Sequence, residues 1–231
     1  MYSIADFFNS QKPDIVCMQE VHDLNGPSGA VFFSLGELQE RCGFKNSFMS
    51  PSYASNYQRR KNPFGNAMLA NLPIVSKETI FTYGEFNNDF DITGDEFNVR
   101  NLQHAVMEAD GQSLHVLNHH GFLIPEHKNG NSETERQMRL ITDYVSKLDG
   151  PIILCGDFNL APTSPSIKII DSLLTNLSQE HGLQSTYVSH FNSNSTVSDY
   201  IFVNSLVTVR DFQMSEEVIS DHKALILDFE L

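Results

Sequence analysis

Pro151-Ile152-Ile153-Leu154-Cys155-Gly156-Asp157-Phe158-Asn159 is the stretch that decides the fold. It opens with proline, runs through an apolar block, and ends at an acid followed two residues later by an amide. A short apolar run with turn residues at its end reads as a buried strand that delivers polar groups to its exit. Pro13-Asp14-Ile15-Val16-Cys17-Met18-Gln19-Glu20 has the same design. Asp199-Tyr200-Ile201-Phe202-Val203 carries its acid at the entry. So does Ser220-Asp221-His222, which leads into Lys223-Ala224-Leu225-Ile226-Leu227. A charged group at the end of a buried strand must be paired, hydrated or bound to metal. The four ends are therefore expected to build one site.

Outward from these strands the chain alternates helices and strands. Ile4, Phe7 and Phe8 share a face of a short helix, with Ser3 and Asp6 at capping-box spacing. Val21 to Gly29 is a loop. Ser34 is placed to cap a helix that carries Leu35, Leu38 and Cys42 and stops at Gly43. Strands are expected within Phe44–Tyr53 and over Gly65–Ala70. Gly84 to Asn98 reads as a solvated loop or hairpin. Asn101–Glu108 and Ser113–Asn118 flank Asp110-Gly111, a strong hairpin signal. A helix capped by Ser132, with Glu135 in the box, runs to about Leu148. A second is capped by Ser164 with Pro165 at its first position and carries Ile167, Ile170 and Leu177. Three strands close the chain. Helix, proline, apolar run and terminal acid thus occur twice, near residues 4–20 and 135–157, as two αβ units facing one centre. The expected class is α/β or α+β with layered sheets, in a single domain over 1–231.

The net charge is −14, from 29 acids against 15 lysines and arginines. That balance disfavours a nucleic acid partner without excluding one, since a duplex binder offers a basic face. Tyr57-Gln58-Arg59-Arg60-Lys61-Asn62 is the densest basic cluster. It reads as a solvated turn or as a rim that meets phosphate through Arg59 and Arg60. Three cysteines form no disulfide framework. No apolar run is long enough to span a bilayer, and no signal peptide is visible. A cytoplasmic protein is expected, or a secreted one whose signal has been removed.

The strand ends supply Glu20, Asp157, Asn159, Asp199, Asp221 and His222, together with His119 or His120, which as neighbours on a strand face opposite ways. The set is rich in oxygen and lacks thiolate, so it suits magnesium or manganese better than structural zinc.

With Gly65-Asn66-Ala67-Met68-Leu69 and Asn118-His119-His120 added in order, these stretches resemble the endonuclease/exonuclease/phosphatase superfamily, which includes deoxyribonuclease I-like nucleases. The resemblance implies a four-layer αββα sandwich of two mixed sheets packed face to face. It implies a phosphoester hydrolase, foremost a phosphodiesterase or nuclease, that uses metal-assisted attack of water on phosphate. It assigns metal binding to Glu20 and Asp221, and water activation and orientation to Asp157 and Asn159. His120 and His222 would contact phosphate, with His222 held by Asp199. Asn66 joins Arg59 and Arg60 as a candidate phosphate contact. Family members usually open with a core strand, whereas this chain begins directly in the helix expected after it. The chain is thus expected to be truncated at its N-terminus relative to the family, with a sheet edge through which it self-associates. The alternative is a catalytically impaired member with a binding or structural role.

Overall fold

The computed structural model describes residues 4–23, 35–57, 60–94, 96, 98–188 and 196–231. The expected cap residues Ser3 and Ser34, the loop residues Asn25 to Gly29 and the candidate Arg59 lie outside it. Two large mixed sheets pack face to face, with helices on both outer surfaces. The first sheet has four strands in the order β1 (Ile15–His22), β3 (Arg60–Ala70), β2 (Asn46–Tyr57) and β5 (Asn87–Phe90). The second has six: β4 (Ile74–Tyr83), β6 (Arg100–Ala109), β7 (Gln112–His120), β8 (Ile152–Asp157), β10 (Asp199–Val203) and β9 (Thr175–Asn176). A separate pair joins β11 (Thr208–Met214) to β12 (Leu225–Glu230).

Strand alternation assigns each face its layer. Leu102, Leu117, Leu154, Tyr200 and Phe202 look outward to α3 (Ser132–Val145) and α4 (Pro165–Asp171). Met138, Ile141 and Val145 make the buried stripe of α3, each contributing about 1.5–3 kcal/mol relative to exposure. Ala105, Met107, Val116, Ile153 and Val203 look inward to Met68 and Ala70 of β3. The far face of the first sheet, with Ala67, Leu69, Val16 and Met18, packs on Ala5, Phe7 and Phe8 of α1 (Ile4–Gln11). It also packs on Leu35 and Leu38 of α2 (Leu35–Cys42). The result is the αββα order. Among the described residues no helix is long and apolar enough to cross a membrane.

Polar residues also stitch the two sheets near one end. Asn118 Nδ2 donates to the Met18 carbonyl (2.9 Å), and Gln19 Nε2 donates to Asn118 Oδ1 (2.6 Å). Gln103 Nε2 donates to Phe48 O (2.8 Å) and Asn66 Nδ2 to Asn101 O (3.0 Å). Buried amides need partners, and across this gap they find them only when the sheets are in one register.

Several local expectations are corrected. The cap of α3 is Asn131, whose side chain accepts from Glu133 and Thr134, and Thr134 completes the box. Asn131 supplies the same acceptor one residue earlier than Ser132, and α3 ends at Val145. The helix begun at Ser164 stops at Asp171. Thr175–Asn176 then adds an edge to β10 before α5 (Leu177–Glu180) starts, so Ile170 and Leu177 belong to different helices. Within Gly84–Asn98, β5 runs parallel to β2 and buries Phe90 against Tyr53 (ring centroids 3.9 Å). The pattern of acids had suggested solvent; one aromatic contact prevails over it. Strand β4 carries no alternating pattern: residues 75–78 are exposed and 79–83 are half-buried or buried.

Strand β1 has one neighbour among the described residues, β3, and β12 likewise has only β11. No described strand precedes α1. Yet β1 and β12 share both cores. Ile15 and Cys17 lie in the inter-sheet core with Leu225, Leu227 and Phe229. Val16 and Met18 lie in the outer core with Ala224 and Ile226. The two strands therefore contribute to the same two cores, though no ladder hydrogen bonds join them.

Candidate active site

Four strand ends meet where the amide-stitched ends of the sheets come together. Asp157 closes β8, in register with His120 on β7 and with Asp199 on β10. The close approach depends on Gly156. Its φ is +138°, and a Cβ there would run into the carbonyl of His119.

Asp199 is the most heavily bonded acid of the site. Its Oδ2 accepts from Thr186 Oγ1, from Ser198 Oγ (3.1 Å) and from His222 Nδ1 (2.8 Å). His222 Nε2 points back to Asp157 Oδ2 at 4.0 Å, and its ring packs on Tyr187 with centroids 4.3 Å apart. Burial opposes charge on His222. The hydrogen bond to Asp199 and the charges of Asp199, Asp157 and Asp221 outweigh it and lift the pKa to about 9. His222 is thus an imidazolium at neutral pH. Burial, then the neighbouring Asp199, pushes Asp157 up to about 6.

His120 faces the site and His119 faces the helices, as alternation demands. His119 packs on Phe158, and burial holds its pKa near 3. Burial, reinforced by the charge of Arg100, keeps His120 well below the ordinary histidine range, hence neutral. Its Nε2 lies 3.8 Å from Glu20 Oε1. Glu20 sits where the β1–β3 register shifts, in a left-handed conformation with φ 57°. That conformation costs a non-glycine residue about 1–2 kcal/mol. It turns the carboxylate out of the ladder, leaving 68% of the side chain exposed. Asn159 is left-handed too, at φ 56°. Its backbone N–H donates to Asp157 Oδ1 (2.8 Å), its Nδ2 to Gly121 O (3.2 Å), and its Oδ1 accepts from Lys128 Nζ.

Asp157, Asp199 and His222 offer ligand atoms all within 4.8 Å of one another. The Asp199 oxygen is already spent on three donors, however, and an imidazolium repels a cation. The Glu20 carboxylate accepts no hydrogen bond among the described residues, and His120 lies 3.8 Å from it. An exposed, unshared carboxylate beside a neutral imidazole fits a hard cation by the chemistry of its donors. Asp221 is exposed, and its Oδ1 accepts from Ser220 Oγ (2.9 Å).

Other candidates lie elsewhere. Asn66 is buried between the sheets, and its Nδ2 donates to Asn101 and Asn118, so it stitches the sandwich from within. Arg60 is exposed at the start of β3, four residues before Phe64, the partner of His22. Three residues had gone unnoticed. Thr186 holds Asp199. Arg100 is buried with its Nε on Gly121 O (2.7 Å). Lys128 stands over the Tyr187 ring, 5.8 Å from the centroid. The signals were faint: a Thr-Tyr pair in a polar segment, an arginine opening an apolar strand, and a lysine in a polar loop.

The sequence model of the Endonuclease/Exonuclease/phosphatase family matches residues 1–222. No curated protein matches the sequence. Solved structures share the fold at low identity. An endonuclease/exonuclease/phosphatase from Bacteroides vulgatus superposes with a TM-score of 0.74 at 17% identity, covering 99% of this chain and 88% of that one. The mannosyl-6-phosphatase of Bacteroides thetaiotaomicron gives 0.72 at 18%, over 99% and 89%. TDP2 of D. rerio, complexed with single strand DNA product, gives 0.69 at 19%, over 99% and 90%.

Proposed function

The chain belongs to the endonuclease/exonuclease/phosphatase family, and on that premise we propose that it is a divalent-metal-dependent phosphoester hydrolase. One observation carries the reading. An acid with a raised pKa, Asp157, stands 4.0 Å from an imidazolium that Asp199 holds in one tautomer. Such a pair serves proton abstraction on one side and charge stabilisation on the other.

In this mechanism Asp157 takes the proton from the attacking water. Its pKa of about 6 makes it a stronger base than an ordinary carboxylate while leaving it ionised at neutral pH. His222 donates from Nε2 to a phosphate oxygen as charge gathers there, its Nδ1 proton fixed on Asp199. His120, neutral, offers a hydrogen bond to the same phosphate. Asn159, held at three points, directs its remaining amide proton. Glu20 would hold magnesium or manganese, with Asp221 on the same side; such a cation neutralises phosphate charge and orients water when bound.

A magnesium-dependent release assay tests the reading on a panel of phosphomonoesters, phosphodiesters and oligonucleotides. The phosphatase and the DNA complex among the structural neighbours justify including each class. Asp157→Asn keeps the shape and removes the base, so turnover should fall by about 10²–10⁴-fold, with substrate affinity little changed. A parent protein that turns over nothing on the panel, with and without metal, would instead favour an inert binding member.

A further inference from the structure

We propose that Lys128 is a phosphate ligand of this site, its ammonium taking a non-bridging oxygen of the bound phosphoryl group. The assignment rests on the phosphoester reading above. It starts from an unequal inventory. A lysine ammonium has three N–H donors, and Lys128 spends one, on Asn159 Oδ1. Its other neighbour is the face of Tyr187, which attracts the cation without taking an N–H. Among the described residues no protein group takes the other two donors of this half-buried ammonium, and a phosphate offers acceptors of the matching charge.

The position is built. The Lys128 carbonyl accepts from Ala161 N (2.8 Å) and the next carbonyl, Asn129, from Ser164 Oγ (2.8 Å). The stem is thus pinned to the loop that follows β8. Burial lowers the pKa of the ammonium, and the nearby charges of Asp157 and Asp199 oppose that shift. Lys128 also fixes Asn159. The ammonium only donates and the Gly121 carbonyl only accepts, so the amide has a single orientation. In a chain of net charge −14, attraction of an anion must come from local cations. Lys128 and His222 are the two that flank Asp157, with Arg100 buried nearby.

The competing role is purely structural, in which Lys128 orients Asn159 and never meets phosphate. Calorimetric titration of inorganic phosphate into the magnesium-loaded full chain separates the two, with turnover on whichever panel substrate is cleaved as a second readout. Lys128→Gln should weaken phosphate binding by about 10–100-fold, the loss expected for a charge-assisted hydrogen bond, and should raise KM more than it lowers kcat. Lys128→Arg should restore binding to within about threefold. Phosphate affinity in Lys128→Gln within about twofold of the parent, or equal losses in the Gln and Arg variants, would overturn the assignment. So would a parent that binds no phosphate at all. A parent that binds phosphate through Lys128 but hydrolyses no ester leaves the assignment standing and removes the hydrolase reading. Hydrolysis with phosphate binding indifferent to Lys128 does the reverse.

Discussion

Two residues with a strained backbone, Glu20 and Asn159, stand in the candidate site. Strain of this kind persists where the surroundings hold it, and at Glu20 it presents the carboxylate. Glu20→Gly should therefore raise stability by up to about 1 kcal/mol, since glycine takes the left-handed conformation without penalty. It should also weaken magnesium or manganese binding. Urea melts and metal titration of the same preparation measure both. Asp199 sets a second prediction. With Asp199→Asn the main support of the His222 charge is gone while burial still opposes it, so the imidazole pKa should drop from about 9 towards or below its ordinary value. The sign follows by linkage: a raised histidine pKa contributes stability that is complete below the unfolded pKa and lost as pH rises through about 9. The variant should lose this pH dependence, and NMR titration of the ring protons checks the pKa itself. At this scale the acids were legible because a charge at the end of an apolar run is anomalous wherever it occurs. Lys128 was not, because a lysine in a polar loop is ordinary until packing shows what it touches. Asn66 misled for the converse reason: its strand was evident, but nothing in the strand said that the inner face would be polar.

Among elements, the recurrence of helix, proline, apolar run and acid corresponds to α1–β1 and α3–β8, which fall in different sheets. Their central cysteines, Cys17 and Cys155, both belong to the inter-sheet core, and their terminal acids are Glu20 and Asp157. The strands with buried faces could be read from their apolar runs. Strand β4 could not, since its exposed and half-buried side chains do not alternate, and the break after α4 depends on a bridge to β10. β8 approaches β7 too closely at Gly156 for any side chain there. Gly156→Ala meets both an unfavourable φ and the His119 backbone, neither of which a side-chain rotation relieves. It should cost at least about 1–3 kcal/mol from the backbone conformation alone. Chemical denaturation followed by circular dichroism would show it as a lower midpoint at similar slope.

For the molecule as a whole, composition pointed to an acidic surface, while the site gathers Arg100, Lys128 and His222 around Asp157. Net charge averages over a surface, so it is silent about a pocket built from residues far apart in sequence. That no ladder joins β12 to β1 has a consequence for cooperativity. His222 lies just before β12, and it is tied to the rest of the site through Asp199 and the bridge to Tyr187. A hairpin held by side-chain packing, with no ladder to β1, is a natural unit of partial opening. Function and fold should then part company: as urea rises, turnover should fade before the far-ultraviolet signal of the sandwich does. Amide exchange should be fast in β11 and β12 while β7 and β8 remain protected. If activity and ellipticity are instead lost together, the hairpin is welded in. If they separate, the protein carries its own latch, and His222 leaves with the leaf that swings.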